Sequence, residues 1–220
     1  MKVLFIGSGL SALQARRDQY HDHIKVCLNN AWRIYEGGEF DYWVHPADFP
    51  QENHPLKGNY KKEISYEDYT AALNQGASRL GFQGVSGFEL EKAIGYTSFF
   101  QALYWIMLSL SPEKIGLLGF DHDYNQNKLD KWLADDIPNI QNDFNDKKEK
   151  TIKEWSDNYF QGFEKDFFYG HGTPDPMRYG HTYMESKMAL AQEKAKSLGI
   201  SIVNYSERYS PYSIFEREIR

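Results

Sequence analysis

The sequence predicts an α/β protein, a Rossmann-like open, mostly parallel sheet with helices on both faces and a lid-like insertion. Three observations predict it. Short apolar runs stand at residues 2–6 (KVLFI, then GSG), 24–28 (IKVCL, then NNAW) and 114–121 (KIGLLGFD), the pattern of buried parallel strands. Helical patterns alternate with these runs, as parallel strands require. Polar groups follow directly after each run, which gathers them at the carboxyl edge where open α/β sheets bind ligands.

Taken in order, MKVLFIGSGLSAL supplies the first strand and not a leader peptide, since it turns to glycine early and is followed by Arg16, Arg17 and Asp18. The run FDYWVH at 40–45 is a third strand, stopped by Pro46. An apolar helix is expected over about residues 90–110, ending near Pro112. Its core, YTSFFQALYWIMLSL, is shorter than a membrane span and is broken by Gln101 and hydroxyls, so no transmembrane segment is expected. From Tyr124 to Tyr179 the composition turns to Asn, Asp, Lys and scattered aromatics; this predicts a lid or insertion over 125–180. In the last helix, Met184, Met188, Ala191, Ala195 and Leu198 recur at the helical period. Thr182 with Glu185 fits a capping box that starts it, and Gly199 stops it before the β-branched run 200–203.

The 220 residues suit one domain, 1–220. With 25 basic and 31 acidic residues the formal charge is −6, the wrong sign for affinity built on neutralising a nucleic-acid backbone. The single cysteine, Cys27, permits no internal disulfide and no cysteine zinc site, which favours a reducing cytoplasm. The reading allows for a homo-oligomer.

Several residues carry candidate chemistry. FIGSGLSA matches a loose G-x-G-x-x-A through Gly7, Gly9 and Ala12, with Ser8 and Ser11 in the same loop, where glycines let backbone approach a nucleotide phosphate. A dinucleotide enzyme places an acid at the end of its second strand, whereas this chain has Asn29 and Asn30, with Arg33 nearby. Amides there donate and accept at once, which suits a ribose or a base edge, although asparagine also serves plain turns. WVHPADFP ends the third strand with His45 and Asp48. LLGFDHDYN places Asp121, Asp123 and Tyr124 after a buried strand; the two aspartates are also conceivable ligands for a hard cation. His21 and His23 read as a solvated approach to the second strand. His181, directly before the capped helix, meets the positive end of its dipole, which favours the neutral imidazole of a general base.

Together, in order, GSGLS, CLNNAW, WVHPADF, IGLLGFDHDYN and RYGHTYMESKMALAQEKAKSLGISIVNYS resemble the small bacterial sialyltransferases that use a CMP-activated sugar. The resemblance spans nearly the whole chain in short motifs. It implies that His181 deprotonates the acceptor hydroxyl and that Tyr124 stabilises the departing phosphate. Asn29 or Asn30 would contact the nucleotide, with Gly7 and Gly9 as a backbone cradle and Asp121 beside it. Ser8 and Leu10 stand where that family has asparagine and proline. A second phenol would come from Tyr159, Tyr169 or Tyr179. His45, Asp48 and Tyr179 are the expected substrate contacts.

The expected reaction is inverting transfer from a CMP-sugar co-substrate to a glycan or other hydroxyl acceptor, with no resident cofactor or metal, since a monophosphate leaving group needs little neutralisation. Two alternatives stand beside it: a metal-dependent diphosphokinase-like enzyme of related fold using Asp121 and Asp123, and a non-catalytic nucleotide-binding protein.

Overall fold

A computed structural model describes residues 1–35, 38–121, 180–208 and 213–219, with residues 180–182 described as backbone alone. Their strands form one seven-stranded sheet. These are β1 (Lys2–Ile6), β2 (Ile24–Leu28), β3 (Phe40–Val44), β4 (Tyr60–Ile64), β5 (Lys114–Leu118), β6 (Ser201–Asn204) and β7 (Glu216–Arg217). Their order is β4-β3-β2-β1-β5-β6-β7 and every pairing is parallel. β1 lies between β2 and β5, with Phe5 opposite Val26 on one side and Leu117 on the other. The chain therefore builds outward from β1 to β4, then restarts at β5 and builds the opposite way. The boundary between β1 and β5 is the topological switch point, where open α/β sheets hold ligands at their carboxyl ends.

β1 shows why its run is unbroken by polar residues. Val3 and Phe5 face one core, Leu4 and Ile6 the other, and all four are fully buried. The first core is covered by helices α1 (Tyr66–Gly76), α2 (Gly87–Ile94), α3 (Ser98–Trp105) and α4 (Gly180–Ser197). The second is covered by short 3-10 segments, chiefly Leu10–Arg16 and Asn29–Tyr35, whose buried Ala12, Ala15 and Ala31 let the backbone lie close to the sheet.

The expected single helix over 90–110 is two helices. Gly95, at φ +114°, ends α2, and α3 leaves at 99° to it. A Cβ on Gly95 would sit 2.4 Å from Phe100 Cδ2, so the break packs tightly on the helix that follows. α3 continues through a π-helical turn, Ile106–Leu110, and stops at Ser111 in a left-handed conformation just before Pro112. Buried on all sides from Phe99 to Leu108, it is a core helix. Among the described residues no single helix is long and apolar enough to cross a membrane.

Other boundaries move by a few residues. The third strand ends at Val44 and the 114–121 strand at Leu118, where Gly119 turns the chain with φ +75°. α4 starts at Gly180, not Thr182, so His181 lies within its first turn, not before it. β4 and α1 were not anticipated, although Ser65 and Asp68 form a reciprocal capping box at the start of α1. β4 is an edge strand whose exposed Lys61 and Lys62 interrupt any apolar pattern. Lys187 of α4 donates to the Ala93 carbonyl at the end of α2, 2.6 Å away, tying the two helices; its partial burial holds its pKa below the usual lysine value.

Candidate functional site

The loops after β1 and β5 close on each other at the switch point. The Gly7 N–H donates to the Leu118 carbonyl and the Gly9 N–H to the Gly119 carbonyl, both at 2.8 Å, extending the strand ladder past the strands. A Cβ on Gly7 would lie 2.5 Å from Gly119 O, one on Gly119 2.2 Å from Gly7 O, and one on Gly9 2.7 Å from Asp121 Oδ2. Packing of loop on loop thus demands these glycines. The Ser11 hydroxyl accepts from the Gly119 N–H at 2.7 Å, and the Ser11 N–H donates to Asp121 Oδ2 at 2.9 Å. Since the N–H groups of Gly7, Gly9 and Ser11 all donate within the protein, these residues shape the loop from behind. Partly buried Ser8 makes no hydrogen bond among the described residues, so it is the residue here with donors to offer a ligand.

Asp121 is 6% exposed, and both of its oxygens are engaged, Oδ2 by Ser11 and Oδ1 by the Ser206 hydroxyl at 3.1 Å. Ser206 belongs to a clamped segment that leaves β6. Gln14 donates to the Tyr205 carbonyl and accepts from the Glu207 N–H, while the Arg17 guanidinium grips the Glu207 carboxylate with both terminal nitrogens. The Ser206 N–H reaches back to Asn204 Oδ1 at 2.9 Å. Ser206, Arg208 and Gln14 were not among the sequence candidates. The signal existed, because NYSER follows the β-branched run that became β6 as directly as NNAW follows β2.

At the next carboxyl end, Asn29 is held at φ +51°, a left-handed conformation that asparagine tolerates better than most residues. Its carbonyl accepts from the Trp43 indole at 3.0 Å. Its side-chain Oδ1 is shielded from solvent and has no hydrogen-bond partner among the described residues, an unmet acceptor of the kind that buried sites rarely leave. Asn30 behaves differently: its Oδ1 accepts from Arg33 Nε at 3.3 Å, and Arg33 also donates to Asn53 Oδ1 at 3.1 Å and lies over the Trp32 ring.

His45 is buried, stacked on Trp43 with ring centroids 4.1 Å apart. Its Nδ1 faces the Pro46 carbonyl and its Nε2 faces Glu63 Oε1, both at 3.0 Å. The other Glu63 oxygen accepts from the Tyr60 hydroxyl, and burial, then Glu63, raises the Tyr60 pKa. His54 packs edge-on against Trp43. Asp48 is exposed nearby in sequence.

Gly199 turns α4 into β6, so the helix runs antiparallel to the sheet and opens its amino end, with the His181 backbone, on the carboxyl side. The structure thus brings Gly7, Ser8, Gly9, Ser11, Asp121, Asn29, Asn30 and His45 to one edge. Tyr124, Tyr179, Asp123, His122, Tyr159, Tyr169 and His171 lie outside the described residues, as does the segment expected to form a lid or insertion, 125–180, but for Gly180. No family model matches the chain, and no curated protein or solved structure matches it either.

Proposed function

We propose that the protein is a glycosyltransferase that moves a sugar from a CMP-activated donor to an acceptor hydroxyl with inversion. Asn29 is the observation that carries this reading: a shielded amide oxygen next to the switch point, without a hydrogen-bond partner among the described residues and held by a left-handed backbone and a tryptophan. Such an oxygen accepts from a ribose hydroxyl or a base amino group, and leaving it unmet costs free energy that a ligand recovers. Ser8 contributes donors on the neighbouring loop, Asn30 shapes the same edge through Arg33, and Gly7, Gly9, Ser11 and Asp121 hold the loop in position. His181, whose backbone lies in the first turn of α4, is assigned the role of general base. Tyr124 is assigned to stabilise the departing phosphate, and His45, Asp48 and Tyr179 are assigned to contact the substrate.

The occupancy of Asp121 supports this reading over a magnesium-dependent diphosphoryl transfer. Its oxygens already accept from Ser11 and Ser206, and a cation, Arg208 Nε, stands 4.0 Å from Oδ2, which opposes a metal there. A thermal-shift panel of CMP, UDP, GDP, NADP and pterin ligands tests the reading, because stabilisation follows affinity by mass action. CMP is expected to stabilise most. Stabilisation by NADP with none by CMP refutes it.

A further inference from the structure

We propose that Arg208 is the anion-binding side chain of the switch-point crevice and holds the phosphate of the bound nucleotide. This rests on the nucleotide reading above and assigns its charged end. Four observations place Arg208 there. Its Nε stands 4.0 Å from Asp121 Oδ2, the oxygen that takes the Ser11 N–H and that a Cβ on Gly9 would approach to 2.7 Å. Arg208 is therefore a neighbour of the glycine loop although it lies nearly 200 residues away in sequence.

Its backbone is fixed at both ends, the N–H donating to the Ser206 hydroxyl at 3.1 Å and the carbonyl accepting from Arg217 at 2.8 Å. The segment before it is clamped by Gln14 and Arg17. An arginine so anchored presents its guanidinium with less loss of freedom on binding than one on a loose loop.

The guanidinium makes no hydrogen bond among the described residues, and its side chain is 47% exposed. An arginine that pairs with a carboxylate bonds it directly, usually with two parallel N–H groups, as Arg17 does with the exposed Glu207. Arg208 stands off Asp121 instead, whose oxygens are engaged by Ser11 and Ser206. Among the described residues no acceptor takes its forked donors, which suits them to a ligand. A planar fork of N–H donors with a permanent positive charge matches a phosphate, and a chain of net charge −6 needs such a local cation to attract one.

The test compares CMP with cytidine, which lacks the phosphate, by calorimetric titration of the wild type and Arg208→Gln. The variant is expected to lose about 10- to 100-fold in CMP affinity, the range for a charged hydrogen-bonding pair, while cytidine affinity stays unchanged. Equal CMP affinity in variant and wild type overturns the assignment and leaves the nucleotide reading standing. Parallel loss of CMP and cytidine also overturns it, since Arg208 then acts on the shape of the site. A wild type that binds neither ligand refutes both. A second readout needs no variant: phenylglyoxal labelling of the wild type, followed by peptide mass spectrometry. CMP is expected to protect Arg208 and cytidine to leave it reactive; labelling unaffected by saturating CMP contradicts the proposal.

Discussion

Ser11 and Asp121, 110 residues apart in sequence, join the two halves of the sheet: the Ser11 N–H donates to Asp121 Oδ2 at 2.9 Å, while the Ser11 hydroxyl accepts from the Gly119 N–H at 2.7 Å. Ser11→Ala leaves a buried N–H without its acceptor. Urea unfolding is expected to show a loss of about 1–3 kcal/mol, and Asp121→Ala a larger one because it strands both Ser11 and Ser206.

Gly119 and Gly199 both hold positive φ, +75° and +73°, but only Gly119 has a neighbour in the way of a Cβ. Gly199→Ala should cost about 1–2 kcal/mol, the price of a left-handed alanine. Gly119→Ala should cost more than that, because the same strain is added to a clash with the Gly7 backbone. Equal losses in thermal or chemical unfolding contradict the interlocked loops.

Asn29 allows its two roles to be separated. Asn29→Gly keeps the left-handed backbone and deletes the amide, so the fold should hold while CMP affinity falls about 10-fold, as for loss of one or two hydrogen bonds. Unchanged CMP binding by calorimetry removes Asn29 from the site.

Stability should decline above about pH 10, the ordinary tyrosine value. Burial pushes the phenols of Tyr35, Tyr69 and Tyr104 well above it. A raised folded-state pKa means stability fully present below the unfolded value and lost as pH climbs toward the folded one. Lys187, lowered by burial, gives an opposite slope just below the ordinary lysine value of about 10.4. Tyr104 is 0% exposed and its hydroxyl has no hydrogen-bond partner among the described residues. Tyr104→Phe should therefore leave neutral-pH stability unchanged or raise it by up to about 1 kcal/mol, and should flatten the alkaline decline seen in melting curves.

Much of this fold was legible because β1, β5 and the second half of β2 are buried on both faces and so read as apolar runs. β4 was not, since an edge strand with Lys61 and Lys62 has no such run. The break at Gly95 was missed because α2 and α3 bury apolar residues in the same core, so the apolar positions read on across it. In the site, the rule that polar residues follow strands found Asn29, His45 and Asp121. It also pointed at the glycines, but which neighbour makes them necessary depends on a contact between residues 7 and 119 that no local pattern encodes. Ser206 and Arg208 were missed for the same reason: their meaning comes from Asp121, 85 residues from Ser206.

The most direct test of the account is release of CMP from CMP-sialic acid in the presence of a hydroxyl acceptor, measured with CMP titration for the wild type, His181→Ala and His171→Ala. The account predicts turnover by the wild type. It predicts a fall of about 10²- to 10⁴-fold for His181→Ala with CMP affinity nearly unchanged, and a much smaller fall for His171→Ala, the histidine ten residues earlier in the sequence. No CMP release by the wild type, near wild-type turnover by His181→Ala, or loss of CMP binding in step with rate would contradict it.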